Sequence, residues 1–242
     1  KVYGDADPVF TVTYTGFITG ENESVLNGTL AIDRVVGEDV GNYAITPSGL
    51  TSTNYNVTFA TGTLAITAKG LTIAAENKSK IYGDVDPTLT VTYAGFITGE
   101  NESVLTGSLF VNRVSGEDVG TYVITPSGLT STNYSITFTN GSLIISALEL
   151  SVGGTFTVAN REYDGTLVAT VATNSLTLTG ALSSDNVALN PVAAFADKNV
   201  GTSKIISLTN ASTLTGTDAG NYTLSLTGAP TATANITPKA LS

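Results

Sequence analysis

The chain has 242 residues, 10 basic against 20 acidic side chains, a net charge of −10, and no histidine, cysteine, methionine or tryptophan. That composition excludes disulfides, thiolate metal sites and any Ser/His/Asp or Cys/His catalytic arrangement. It also lacks the clustered Lys and Arg that nucleic acid or an anionic membrane surface requires, and it has no run of 18 or more apolar residues to span a bilayer as a helix.

Residues 1–68 open at Lys1 with Tyr3-Gly-Asp-Ala-Asp-Pro8 and reach Gly16-Phe-Ile-Thr-Gly-Glu21. Residues 80–147 repeat them at a constant offset of 79, with 48 of 68 aligned positions identical and no gap. A tandem repeat at a fixed period means modules stacked one after another. With neither an initiator methionine nor a signal peptide ahead of that motif, the sequence reads as a piece of a longer protein. Residues 71–78, ahead of the second Tyr-Gly-Asp, predict a first strand that has no counterpart before Lys1. The first repeat is therefore expected to show an unpaired edge or a swapped strand.

In the second repeat, apolar residues recur at a spacing of two: Leu71 and Ile73; Leu89, Val91 and Tyr93; Leu109 and Val111; Tyr122 and Ile124; Tyr134, Ile136 and Phe138; Leu143 and Ile145. Runs of this kind predict half-buried strands with Thr and Ser facing water. Leu89, Val91, Tyr122, Ile124, Ile136, Phe138, Leu143 and Ile145, with their counterparts 79 positions earlier, are the expected common core. Asn140-Gly141 predicts a type I′ hairpin between the last two runs. Glu100-Asn-Glu-Ser-Val-Leu105 and its twin at 21–26 predict one short helical turn, stopped by Gly107 or Gly28 in a left-handed conformation.

The junctions are short. Only Ala68-Lys-Gly70 separates the last run of the first repeat from the first run of the second, and residues 144–150 contain neither Gly nor Pro. The expected arrangement is three small all-β modules in an extended rod, with boundaries 1–68, 69–147 and 148–242. Ig-like β-sandwiches are the leading architecture, and β-grasp-like or open β-roll modules the alternative. The third unit is built differently in sequence, around Glu162-Tyr-Asp-Gly-Thr166, Phe195-Ala-Asp-Lys-Asn-Val-Gly201 and Asp218-Ala-Gly-Asn-Tyr222. It ends in Ile236-Thr-Pro-Lys-Ala-Leu241, which reads like an inter-module strand about to begin.

Asp39-Val-Gly-Asn-Tyr43, Asp118-Val-Gly-Thr-Tyr122 and Asp218-Ala-Gly-Asn-Tyr222 share Asp-x-Gly-x-Tyr. The pattern resembles the tyrosine corner of immunoglobulin-like sandwiches, in which the hydroxyl bonds nearby backbone. Taken with Tyr-Gly-Asp-x-Asp-Pro, Gly-Phe-Ile-x-Gly-Glu and Asn-Tyr-x-x-x-Phe, both repeats resemble the bacterial MBG domain of the YGX type. The third unit resembles the YDG module through its Glu162-Tyr-Asp-Gly-Thr166, Phe195-to-Gly201 and Gly220-Asn-Tyr222 motifs. The resemblance covers essentially the whole chain. It implies tandem modules of very large secreted or surface proteins of bacteria, including filamentous-haemagglutinin-like adhesins, and no enzymatic activity.

Candidate sites are sparse. Asp5 and Asp7, with their twins Asp84 and Asp86, could supply oxygens to calcium, completed by Glu76 or Glu149. The competing and preferred reading is a turn in which the Asp side chains bond backbone amides before proline. Glu21, Glu23, Glu38 and Asp39, with their twins, are expected to be solvated loop charges, because paired catalytic acids need a buried, aromatic-lined cleft. Phe17 and Phe96, each at a strand end beside glycine, are the candidates for a glycan or protein contact. Packing beneath the Gly-Glu-Asn-Glu turn is favoured over that role. The leading expectation is a non-catalytic stalk or spacer whose partners are neighbouring modules of the same long chain, with no cofactor, nucleic acid or membrane insertion. The alternative is a module that itself binds a glycan or protein on a target surface.

Overall fold

The computed structural model describes all 242 residues, Lys1–Ser242. The chain is all-β, and its only helical elements are three single 3₁₀ turns. The first repeat forms β1 (Asn27–Arg34), β2 (Gly41–Thr51) and β3 (Gly62–Ile66). The second forms β4 (Lys69–Ala75), β5 (Lys78–Ile81), β6 (Val91–Ala94), β7 (Thr106–Arg113), β8 (Gly120–Thr130), β9 (Tyr134–Thr139) and β10 (Gly141–Ser146). The third begins with β11 (Leu148–Val158), β12 (Arg161–Glu162), β13 (Val168–Ala169), β14 (Val171–Thr179) and β15 (Ala188–Asn190). It continues with β16 (Ala193–Phe195), β17 (Gly201–Leu208), β18 (Thr213–Thr215), β19 (Tyr222–Ser225) and β20 (Ala232–Thr237).

Contact density groups these strands into two compact units. One holds Lys1–Glu76, Leu89–Asn112 and Thr125–Gly141, and the other Asn77–Thr88, Arg113–Ile124 and Ser142–Ser242. Each unit therefore contains one junction between sequence modules.

In the first unit, β1, β2 and β3 form an antiparallel sheet in that order. A second sheet has β4 at its centre. Tyr93 of β6 lies antiparallel to Ile73, and Ile136 and Phe138 of β9 run parallel beside Leu71 and Ile73. The β4 alternation turns Leu71, Ile73 and Ala75 inward, where Leu71 and Ile73 join Tyr3, Leu64, Ile66 and Tyr134 in one core. Only Thr67 and Ala68 separate β3 from β4, so Lys69 and Gly70 already belong to the strand.

In the second unit, β5 runs parallel to β10, pairing Lys78 with Leu143 and Ile81 with Ser146. The strand order continues from β5 and β10 to β8, whose part up to Ile124 lies in this unit. The third module, despite its different sequence, repeats this topology. Its β11 has β14 antiparallel on one side and β19 parallel on the other, as β4 has β6 and β9. Its β12 is parallel to β20, and β20 is followed by β17 and β16. The core there is Val152, Phe156, Val158, Phe195, Ile206 and Ile236, with small residues between them.

Several expectations need correction. Asn140-Gly141 is no type I′ hairpin: β9 and β10 belong to different sheets, and neither residue has a positive φ. Glycine is required there for close approach, since a Cβ on Gly141 would sit 2.7 Å from the Ala75 carbonyl oxygen. Gly28 does take a positive φ, but inside β1, where the register with β2 shifts, and not as a helix stop. The helical turns are single 3₁₀ turns at Glu23–Val25 and Glu102–Val104, each begun by an Asn side chain accepting a backbone N–H. The two repeats also do not share one core. Ile124 is fully buried while its counterpart Ile45 is half-buried, and Phe138 is half-buried while Phe59 is 41% exposed. Residues 12–15 and 55–60, counterparts of β6 and β9, form no strands.

Candidate functional site

The distinctive polar chemistry of the chain lies at the module junctions. At the first junction the Tyr3 hydroxyl, from the first repeat, donates to Glu100 Oε1 at 2.5 Å. The Tyr134 hydroxyl, from the second repeat, donates to Oε2 of the same carboxylate at 2.5 Å. Tyr134 Oη also accepts the Ile97 backbone N–H at 3.0 Å. The two rings meet edge to face, 5.5 Å apart at 79°. Beside them Asn133 accepts the Val40 N–H at 2.9 Å and donates to the Asp39 carboxylate at 2.7 Å. Gly4 makes the approach possible, because it has a φ of +85° and a Cβ there would lie 2.4 Å from Ile97 Cγ2.

The second junction repeats this arrangement with different residues. Tyr82 and Tyr222 donate to Asp185 at 2.6 and 2.7 Å, and their rings lie 5.3 Å apart at 78°. Tyr222 Oη accepts the Leu182 N–H, while Asn221 accepts the Val119 N–H and donates to Asp118. The donor tyrosines are positioned identically: Tyr3 N–H bonds Thr67 O and Tyr82 N–H bonds Ser146 O, each at 2.8 Å.

Electrostatics follow from this geometry. Tyr3 and Tyr82 are pushed up to about 12, first because each hydroxyl donates to an anionic carboxylate and second because each ring is buried. Burial first, and then the same carboxylates, raise Tyr134 and Tyr222. Asp185 is held below its ordinary value by the hydroxyls of Tyr222 and Tyr82.

Beside each Tyr-Gly-Asp turn sits an ion cluster. Lys1 contacts Asp7 at 2.7 Å and Glu38 at 2.5 Å, and Arg34 contacts Asp7 at 2.5 Å and also Glu38. In the second repeat, Lys80 contacts Asp86 at 2.8 Å and also Glu117, and Arg113 contacts Asp86 at 2.5 Å and also Glu117. Asp86 is lowered to about 2, first by its bond to Arg113 and then by Lys80. Lys80 stays above its ordinary value because the Asp86 and Glu117 carboxylates outweigh its burial.

Sequence-predicted site residues are therefore scattered among structural roles. Asp7 and Asp86 each face two cations. Asp5 and Asp84 are exposed, and each offers its backbone carbonyl to the lysine four residues earlier. Phe96 packs against Tyr93 and Tyr134 beside the first-unit core. Phe17 is half-buried between Tyr14 and Tyr55. Glu100, read as a solvated loop charge, is instead the centre of the first junction. Of the three tyrosine corners, Tyr43 and Tyr122 donate to the backbone oxygens of Asp39 and Asp118. Tyr222 does not, because with Asn221 it is the counterpart of Asn133-Tyr134. That shared Asn-Tyr dipeptide was the signal that could have revealed the junctions.

Two packed joints built on one plan, linking all-β modules of common topology, define a tandem-module protein. The chain belongs to the MBG domain (YGX type) family, whose model matches residues 1–65 and 71–144, more than half of its length. A YDG domain follows at residues 147–233. No curated protein matches the chain. Neither domain is a known catalytic family, and no helix is long and apolar enough to cross a membrane.

Proposed function

We propose that this chain is a non-catalytic spacer segment of a secreted or cell-surface bacterial adhesin, whose modules hold a distal binding region away from the cell. The observation that carries this reading is the repeated joint, two tyrosines on one carboxylate beside an asparagine clamp. Fixed polar bonds of this kind resist bending at a junction that a flexible linker would leave free. The partners are neighbouring modules. Asp5, Asp7, Asp84 and Asp86 serve turn and ion-pair geometry without calcium, because cations of the chain already neutralise the carboxylates of Asp7 and Asp86.

The experiment uses the absence of cysteine. Spin labels on Asp33→Cys and Thr92→Cys, both exposed and on opposite sides of the first joint, should give one narrow distance distribution. Glu100→Ala should broaden it. A broad distribution in the otherwise unchanged chain overturns the spacer reading. Saturable binding to a glycan or protein array, lost on substituting Phe17, would favour the ligand-binding alternative instead.

A further inference from the structure

The nine-residue strand β14 is the longest edge strand of the chain, paired on one side with β11 and open on the other. Open edges present unpaired N–H and C=O groups, and natural chains blunt them with charge, proline, bulges or short length. Here β1, an edge of the first repeat, carries Asp33 and Arg34, β5 carries Lys78 and Lys80, and β6 and β19 have four residues each. β14 has none of these guards. No charged residue or proline lies between Asp164 and Asp185, and from Thr173 to Thr179 the register with β11 runs without a bulge. β6 holds the same place in the second repeat, which has a module on either side of it in the chain, and β6 too is an edge. The open side is thus a feature of the module's own fold.

Alternation along β14 separates its two faces. Leu176 and Leu178 are half-buried against the third-module core, with Val187 and Leu189 beside them along a shallow groove of about 470 Å³. Thr173, Ser175, Thr177 and Thr179 are exposed on the other face.

Leu176 marks the outward side of the backbone. Its N–H is taken by Asn174 Oδ1 at 3.0 Å, a bond made within the strand. In an antiparallel ladder a residue turns its N–H and C=O the same way, so Leu176 is a residue whose backbone a further strand can pair. Hydroxyl pairs already join strands in this sheet: the Oγ1 atoms of Thr157 in β11 and Thr173 in β14 lie 2.7 Å apart.

We propose that two copies of the chain pair side by side through β14, antiparallel and about a two-fold axis at Leu176. Leu176 then faces Leu176 of the second copy across a pair of ladder bonds, which replace the local bond to Asn174. On the outer face Thr173 meets Thr179 of the second copy and Ser175 meets Thr177, so every pair is hydroxyl to hydroxyl. A two-fold contact sets one surface against itself, and an uncharged strand is where chains of net charge −10 meet without opposing like charges. An unrelated segment would have to supply the same alternation of hydroxyl and leucine, whereas a second copy supplies it by symmetry. Two strands of this length cover less than the roughly 1,200 Å² of a standard interface, so the association is weak and reversible. The contact depends on the sheet edge alone and is independent of the spacer reading.

Sedimentation velocity up to about 1 mM chain tests this, in about 0.3 M salt to screen the repulsion between copies. The chain should associate as its concentration rises. Ser175→Glu and Thr177→Lys each oppose like charges across the axis and should each weaken association about tenfold or more. Neither should change the melting temperature, since both side chains are exposed. An equimolar mixture of the two variants should restore association, because the introduced carboxylate then faces the introduced ammonium. A monomer at every concentration overturns the proposal. So does association indifferent to both substitutions, or lost in both and not restored by mixing. If the chain stays monomeric while a peptide of residues 171–179 raises its melting temperature, the edge takes a strand from another source and the second copy is ruled out.

Discussion

Tyr3 and Glu100 stand 97 positions apart in the chain and 2.5 Å apart in space. The bond joins the first residues of one repeat to a loop of the next, and Glu100 holds Tyr134 with its other oxygen. Glu100→Ala leaves two part-buried hydroxyls without their acceptor and should lower stability by about 2–4 kcal/mol, as each charge-assisted bond contributes about 1.5–3 kcal/mol before water compensates. Tyr3→Phe, which removes one donor, should cost about 1 kcal/mol. A denaturant-unfolding cycle on Tyr3→Phe and Glu100→Gln should return a coupling above about 0.5 kcal/mol, and additive effects would show that the bond does not hold the joint.

Ile124 and Ile45 are the same residue 79 positions apart, one fully buried and the other half-buried. Ile124→Ala should cost about 2–5 kcal/mol through lost burial and a cavity. Ile45→Ala should cost less than half as much, because its side chain is only half-buried and loses less on truncation. Urea titrations of both variants compare them directly, and equal losses would mean that the two repeats are packed alike.

Alkaline pH should loosen both joints. The folded chain holds Tyr3 and Tyr82 at about 12 against an ordinary value of 10. Their contribution is therefore complete below about pH 10 and is lost as pH rises through about 12. The melting temperature should fall across that window, and Tyr3, Tyr82, Tyr134 and Tyr222 should ionise later than the exposed tyrosines by tyrosinate absorbance. Phenylalanine in place of both Tyr3 and Tyr82 should flatten the fall.

In acid the sign reverses. Asp86 and Asp164 are lowered to about 2, Asp86 chiefly by Arg113 and Asp164 chiefly by the Thr166 backbone N–H. Their contribution is present above about pH 4 and disappears as pH falls through about 2. Asp86→Asn should remove part of this acid sensitivity in a melting series taken from neutral pH downward.

Chelator should leave the melting temperature unchanged. Asp86→Ala should destabilise by about 1–2 kcal/mol with or without calcium, a value well under that of a fully buried pair because Glu117 still faces Lys80 and water reaches the site. A melting temperature that rises with added calcium and falls with chelator would reinstate the metal reading.

The repeat and the strand alternation were legible in the chain, because a period of two and an offset of 79 are local regularities that need no partner to be seen. Family membership followed from the same motifs, and so did the tyrosine corners of Tyr43 and Tyr122, since donor and acceptor lie four residues apart. Tertiary structure decided everything that joins distant segments. Asn140-Gly141 looked like a hairpin because its dipeptide fits one, yet the long edge of β4 draws β9 into one sheet while β10 pairs with β5. Glu100 looked like surface charge because its two tyrosines lie 34 and 97 positions away. The third module shares no extended identity with the repeats, yet Tyr222, Asn221 and Asp185 rebuild the same joint, because what the fold preserves there is a position for two hydroxyls around one carboxylate, which several sequences can supply.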